Sequence, residues 1–390
     1  MRQAHITKTS GGGTIPSPHH TPAARTRQEN LSPHEKSAFI GQNLTTWYIQ
    51  NHRQGLPWRA MPGQKMDPYR VWLSEIMLQQ TTVPTVISYY HKFTARWPSL
   101  QDLAAASQED VLHEWAGLGY YARGRNLHKC AQIVQASCGG IFPDTLDDLI
   151  ALPGIGPYTA AAIGAMAFGI RVIPVDGNVE RVIARLYAIK DPVRTAKPII
   201  KERANQSLMQ AKDVFPGDLA QAYMDLGSTI CTPRSPKCAL CPLSRVCTAY
   251  QQHSPQDYPT PEPKKAKPQK YGYLYLVEDS KGHILLHRRE GKGLLAGMMA
   301  FPTSAWAANP DDIAIHPSLQ RATQIGTVHH SFTHFDLMLR VMHIKESRTI
   351  TKRGKMDIDG QWVPKDKLDK AGLPRVFNKA LVYLKGDMRK

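Results

Sequence analysis

The sequence predicts a multidomain chain in which a mostly α-helical domain is followed by a smaller α+β domain. Three observations carry this. The 390 residues exceed the usual size of one domain. From Phe39 to about Tyr250, apolar residues recur at spacings of three and four, with repeated helix-start signals. Beyond residue 270, β-branched and aromatic runs separated by turn residues take over. The expected divisions are a disordered basic tail over 1–34, a helical domain over 35–250, a linker over 251–270 and a second domain over 271–390.

Taken in order, the tail is rich in Ser, Thr, Pro, Gly and His and has no acidic residue before Glu29, so it cannot bury enough apolar surface to order itself. In "DPYRVWLSEIM", Asp67 can cap a helix whose first turn takes Pro68, and the pattern predicts a helix over 68–81. "LPGIGPYTAAAIGAMAFG" sets a tight Gly154-Ile155-Gly156 turn before a helix that Pro157 can open. The stretch "HSPQDYPTPEPKKAKPQK" holds five prolines and four lysines, a linker composition. "YGYLYLVED" and "HILLHRR", joined by "DSKGH", read as a hairpin. "FDLMLRVMHI" reads as another strand, and "DKLDKAGLPRVFNKALVYL" as terminal helical turns.

Composition narrows the function. A formal net charge of +17 suits a polyanionic partner, of which nucleic acid is the commonest. No apolar run is long enough to cross a bilayer, and no basic amphipathic helix or lipidation motif points to a membrane.

Four features carry chemistry. Glu75 is the only formally charged residue between Arg70 and Lys92. A helical Glu is ordinarily solvated; one without charged company suits a cleft, where desolvation raises its pKa and makes it a proton donor. Asp176, in the turn of "VDGNVERVIAR", reads as a helix cap, and with Glu75 it supplies a second carboxylate able to face a developing cation. Such a pair suits glycosidic bond cleavage, one acid protonating the leaving group and the other supporting the oxocarbenium-like sugar. The Gly154–Gly156 turn aims backbone N–H groups outward, where a DNA phosphate can sit. Finally, Cys231, Cys238, Cys241 and Cys247 place four soft ligands within seventeen residues. Zinc commonly takes two C-x2-C knuckles and this spacing has one, which an iron–sulfur cluster accommodates better. Cys130 and Cys138 read as incidental thiols.

In their order, "LPWR", "DPYRVWLSEIMLQQT", "WAGLGYYARGRNLH", "LPGIGPYTA", "VDGNVERVIAR", "MDLGSTIC" and the cysteine loop resemble the helix-hairpin-helix DNA glycosylases, specifically the MutY-type adenine DNA glycosylases. The resemblance implies a helix-hairpin-helix domain with one [4Fe-4S] cluster, joined to a Nudix-like domain. It implies a monofunctional base excision repair enzyme that hydrolyses the N-glycosidic bond of adenine mispaired with 8-oxoguanine or guanine, after flipping the base. Double-stranded DNA is then the partner, other repair proteins take the abasic product, and a monomer is expected. The compartment follows the source: the cytoplasm, on the nucleoid, of a bacterium, or the nucleus or mitochondrion of a eukaryote.

Roles transfer by position. Glu75 is implied to protonate adenine N7 and Asp176 to stabilise or transiently trap the sugar cation, with Tyr158 and Asn178 supporting them. Position 158 carries a Schiff-base lysine in strand-cutting relatives; a phenol cannot form an imine, so efficient lyase activity is not expected. Gln79, Gln80 and Tyr120 are implied to probe the duplex, and Trp58, Arg59, Leu78 and Gln221 to line the adenine pocket. Arg234, Lys237 and Arg245 are implied to meet the DNA backbone from the cluster loop. "HHSFTHFDL" matches the family's 8-oxoguanine-reading loop through Phe332 and His334, with Thr333 where a serine is usual. Around "GLLAGMMAFPTSAW" the clustered glutamates of a pyrophosphohydrolase are missing. Two other readings remain, an endonuclease III-like pyrimidine glycosylase/lyase and a non-catalytic DNA-binding scaffold.

Overall fold

A computed structural model describes residues 31–261, 266–289, 294–314, 321–345 and 360–384. Most of the expected tail and the middle of the linker lie outside these residues. The helical domain begins earlier than the composition suggests, because Ser32 and Glu35 form a reciprocal capping box that starts α1, Pro33–Asn51, inside the stretch expected to be tail.

Next come α2 (Pro68–Leu78), α3 (Val83–Arg96), α4 (Leu100–Ala105), α5 (Gln108–Glu114), α6 (Ala122–Ser137), α7 (Leu146–Ala151) and α8 (Pro157–Ile163). A π-helical turn, Gly164–Phe168, continues α8, and α9 (Gly177–Tyr187), α10 (Val193–Gln210), α11 (Pro216–Thr229) and α12 (Thr248–Gln251) follow. As expected, Asp67 caps α2, accepting from the Tyr69 backbone at 2.8 Å. The helix stops at Leu78, however, three residues short of the expected end. Gln80 turns into the left-handed region at φ +57, and the chain restarts at Val83 with Pro84 in the first turn of α3.

These helices bury two cores. One packs Trp72, Leu73, Ile76 and Met77 of α2 against Tyr90 and Phe93 of α3, Trp115, and Leu127 and Val134 of α6. The other packs Ile40, Leu44 and Tyr48 of α1 with Ile183 of α9, Ile200 and Leu208 of α10, and Tyr223 and Leu226 of α11. Between them, α8 gives Ala160, Ala162 and Ile163 to the first core and Ala161 to the second. Small side chains let one short helix pack on both sides. Truncating a fully buried side chain such as Leu73 to Ala carries a cost of about 2–5 kcal/mol.

The expected linker is partly structured. Pro255 and Tyr258 are buried, and the Tyr258 carbonyl accepts from Arg185 Nε at 3.0 Å, so the helical domain runs past Tyr250. Gln269 already begins β1, Gln269–Glu278. β2 (Ile284–Arg288) returns antiparallel beside it, forming the expected hairpin, and pairs in turn with β3 (Met299–Ala300) and β6 (Gln361–Val363). On its other side β1 runs parallel to β5 (Asp336–Lys345), the expected strand, and β5 is antiparallel to β4 (Thr323–Ser331). Leu274, Leu276, Leu337, Leu339 and Val341 form the sheet's buried face, covered by Val376 and Phe377 of the C-terminal helical turns.

Candidate active site

Glu75 lies on α2 of the first core and Asp176 caps α9 of the second, close enough that the charge of Asp176 acts on Glu75. Glu75 is 7% exposed, on a helix whose neighbouring residues are themselves buried. Burial is the main force raising its pKa, to about 7, and the charge of Asp176 adds to it. Two groups oppose the rise, the Tyr158 hydroxyl, which donates a hydrogen bond to the carboxylate, and the Arg59 guanidinium. Tyr158 sits half-buried in the first turn of α8; burial, then the charges of Glu75 and Asp176, push its own pKa well above the usual range and keep the phenol protonated. The result is a carboxyl group that is still partly protonated near neutral pH.

Asp176 is the cap of α9, as its place in the turn suggests. Its Oδ1 accepts from the backbone N–H of Asn178 at 2.9 Å and of Val179 at 2.8 Å, and its Oδ2 from Asn178 Nδ2 at 2.9 Å. Asn178 is itself gripped, because Arg181 Nη2 donates to its Oδ1 at 2.8 Å and to the Gly227 carbonyl at 2.7 Å. Gly227 has to be glycine for this approach: a Cβ there would lie 2.6 Å from Asn178 Cβ. The carboxylate is thus fixed by three donors at a helix N-terminus.

Arg59 forms a two-pronged ion pair with buried Asp225, both N···O distances being 2.7 Å. One turn back on α11, Gln221 is 4% exposed; its Nε2 bonds the Gly217 carbonyl, while its Oε1 has no partner among the described residues. Trp58 is buried edge-to-face on Tyr90, and Leu78 is half-buried at the end of α2. These four residues offer an apolar wall, a cation and an unpaired acceptor.

Around them stand the residues suited to DNA. Gln79 reaches Thr159 Oγ1 at 3.4 Å, while Gln80 is exposed. Tyr120 is 51% exposed and, like Gln80, has positive φ, here +48. Such backbone strain at two exposed residues persists only where the surroundings enforce it. Arg123 does so, donating to the carbonyls of Ile76 and Met77 at the end of α2 and of Leu118 and Gly119 before Tyr120. Gly154 has φ +80 and would place a Cβ 3.0 Å from Asn126 Cβ, while at Gly156 a Cβ would meet open space, so the turn before α8 is open at Gly156. From the other domain, β4 and β5 present the Phe332–Phe335 turn, in which Thr333 and His334 are exposed and Phe332 stacks on Trp306. Thr333 Oγ1 lies 2.8 Å from Tyr120 Oη.

Comparison with known proteins fits this architecture. Residues 73–207 match the model of the HhH-GPD superfamily base excision DNA repair proteins, and 273–383 that of the NUDIX domain. Human adenine DNA glycosylase is 38% identical over 369 residues, covering 79% of this chain and 67% of its own length. That of Buchnera aphidicola subsp. Schizaphis graminum is 31% identical, covering 89% of this chain and 99% of its own length. The chain belongs to the adenine DNA glycosylase family. Among solved structures, a thermostable thymine-DNA glycosylase is 28% identical with a TM-score of 0.47, over 56% of this chain and 97% of that one.

Residues 231–247 of this adenine DNA glycosylase family member match the iron–sulfur binding domain of endonuclease III, and a [4Fe-4S] cluster is its cofactor. The residues fit that group. All four cysteines are free thiols, and burial pushes Cys241 up to about 12, with the charges of Cys231, Cys247 and Cys238 adding to it. Such mutual repulsion calls for a cation in their midst. Four thiols on one short loop supply the one thiolate per iron that such a cluster takes. Arg185 Nη1 donates to Cys231 Sγ at 3.3 Å and to the Thr232 carbonyl at 2.7 Å. Arg234, Lys237 and Arg245 are exposed on the same loop.

The sequence reading missed Asp225, Arg181 and Arg123. Asp225 offered the same signal as Glu75, a lone acid among apolar residues in "AYMDLGSTI". The arginines offered none, since Arg123 and Arg181 make key bonds to carbonyls on other elements.

Proposed function

We propose that this protein excises adenine paired with 8-oxoguanine or guanine in duplex DNA, by base flipping and acid catalysis, as a monomeric step of base excision repair. The single observation that carries the reading is Glu75, buried with its pKa raised to about 7, within electrostatic reach of an Asp176 that is held in place by its cap. Adenine is a poor leaving group until protonated. Glu75 gives its proton to N7, the N-glycosidic bond breaks, and Asp176 faces the cation left on the sugar. Glu75, then a carboxylate, takes the proton of the water that attacks the sugar carbon, and the abasic site is left for other proteins.

Tyr158 steadies Glu75 and cannot form the imine on which strand cleavage depends, so the product is an unbroken abasic strand. Trp58 and Leu78 give the flipped purine its apolar walls, and the unpaired Oε1 of Gln221 suits the amino group of adenine. Gln79, Gln80 and Tyr120 enter the duplex, the Gly154–Gly156 turn meets a phosphate, and Phe332, Thr333 and His334 read the opposing base. Cys231, Cys238, Cys241 and Cys247 hold the cluster, which fixes the shape of a basic loop against DNA; base hydrolysis needs no electrons. In a bacterium the enzyme works on the nucleoid, in a eukaryote in the nucleus or mitochondrion.

The test is a panel of 8-oxoG:A, G:A, 8-oxoG:C and thymine-glycol duplexes, scored for base loss with and without alkaline cleavage. Adenine loss visible only after alkali is expected. Release of a pyrimidine, or strand breaks without alkali, overturns the reading.

A further inference from the structure

Asp225 is wholly buried, and each of its carboxylate oxygens accepts twice. Oδ1 takes Nη2 of Arg59 at 2.7 Å and Nε of Arg53 at 2.6 Å; Oδ2 takes Nη1 of Arg59 at 2.7 Å and the Arg53 backbone N–H at 3.0 Å. Both prongs of the Arg59 guanidinium are therefore committed. That matters because Arg59 also lies within electrostatic reach of Glu75. A guanidinium with a free fork beside a buried carboxylic acid pairs with its ionised form, the strongest hydrogen-bonded arrangement open to the two groups. Such a pair would leave Glu75 as a carboxylate with no proton to give.

We propose that Asp225 is a positioning residue of the base-release reaction: by occupying the Arg59 fork it lets the guanidinium line the pocket without ion-pairing to Glu75, and so keeps the acid protonated. The inference rests on the acid-catalysis reading above. The charged and titratable groups around Glu75 are Tyr158 from α8, Asp176 at the head of α9 and Arg59 from the loop before α2, while Arg123 from α6 is taken up by the carbonyls of Ile76 and Met77. Of these, only Arg59 favours the carboxylate through positive charge at the side chain, and Asp225 is the group that restrains it.

The experiment measures single-turnover adenine release against pH for the full chain with its cluster, in the wild type and in Asp225→Asn, Arg59→Gln and the double variant. Asp225→Asn is expected to move the alkaline limb down by about one pH unit, so that the rate falls about tenfold at pH 8 and far less at pH 5.5. Arg59→Gln should move the limb up, and the double variant should share the limb of Arg59→Gln whatever its absolute rate, because Asp225 acts only through the guanidinium. An equal loss at every pH with an unmoved limb overturns the proposal, as does a double variant that keeps the limb of Asp225→Asn. If Asp225→Asn does not fold, Arg59→Gln and the double variant decide: coincident limbs are expected, and a double variant whose limb lies below that of Arg59→Gln overturns the proposal. A carboxyl-carbon NMR titration of Glu75 needs no substrate. A wild type that releases no adenine therefore counts against the functional reading, and an unshifted Glu75 titration in the variants counts against the role of Asp225.

Discussion

The phenol of Tyr120 and the hydroxyl of Thr333 meet at 2.8 Å, so residues from two domains, separated by 213 positions in the chain, share one hydrogen bond. The hydroxyl that distinguishes Thr333 from an apolar residue of its shape has its partner in the strained Tyr120 turn. Thr333→Val keeps that shape and removes the bond. It should weaken the preference for 8-oxoG:A over G:A duplexes by roughly 2- to 10-fold, the worth of one hydrogen bond. Thr333→Ser should stay within about twofold of the wild type. Equilibrium binding to the two duplexes checks both.

Under the proposed mechanism, the proton on Glu75 should set the alkaline limit of the reaction. With its pKa raised to about 7, chiefly by burial, base release under single-turnover conditions should be steady below that pH. Above it the rate should fall about tenfold per pH unit, because only the protonated fraction can act. A flat profile to pH 9 would assign the proton to another group.

Glu75→Gln should abolish adenine release while leaving duplex binding intact. It should also change stability in a pH-dependent way. A carboxyl whose folded pKa is about 7, against an ordinary value of 4.5, binds more proton folded than unfolded between those two values. Stability therefore declines as pH rises through that window. The amide removes the decline, so Glu75→Gln should match the wild type at pH 4 and exceed it by up to ~3 kcal/mol at pH 8, as read from urea melts at both values.

Tyr158→Phe removes the hydrogen bond that favours the Glu75 carboxylate. Two changes should follow together: a lower maximal rate, as the acid loses its orientation, and an alkaline limb displaced upward. Loss of rate without displacement would mean that Tyr158 only packs α8.

Arg181→Met leaves the Asn178 side chain and the Gly227 carbonyl without their shared donor, and it takes from the Cys231 carbonyl its bond to Arg181 Nε at 2.8 Å, leaving only the longer one to Arg185 Nη1 at 3.3 Å. The variant should lose about 1–3 kcal/mol in denaturant melts. It should also hold less iron per chain by colorimetric assay, because the same side chain spans the Asp176 cap and the cysteine loop.

What could be seen in the sequence was local. Glu75 stood out because its run holds no partner charge, Asp176 because a turn precedes a helix, and the four cysteines because their ligand geometry is written in their spacing. The hairpin of β1 and β2 and the strand β5 followed from β-forming runs bounded by turn residues. What could not be seen depends on distant contacts. Asp225 meets Arg59 from 166 positions away, and Arg181 meets Cys231 from 50. The end of α2 was misjudged because apolar periodicity does not register a left-handed residue such as Gln80. The linker was overdrawn because proline content gives no hint that Arg185 pins Tyr258.

The neighbours Ala160 and Ala161 point into different cores, so α8 serves both halves of the helical domain as a common keel. Widening the gap between Glu75 and Asp176 would mean tearing that keel from one half, which a close-packed interior resists. The separation of the two carboxylates is therefore built into the packing and set when the chain folds.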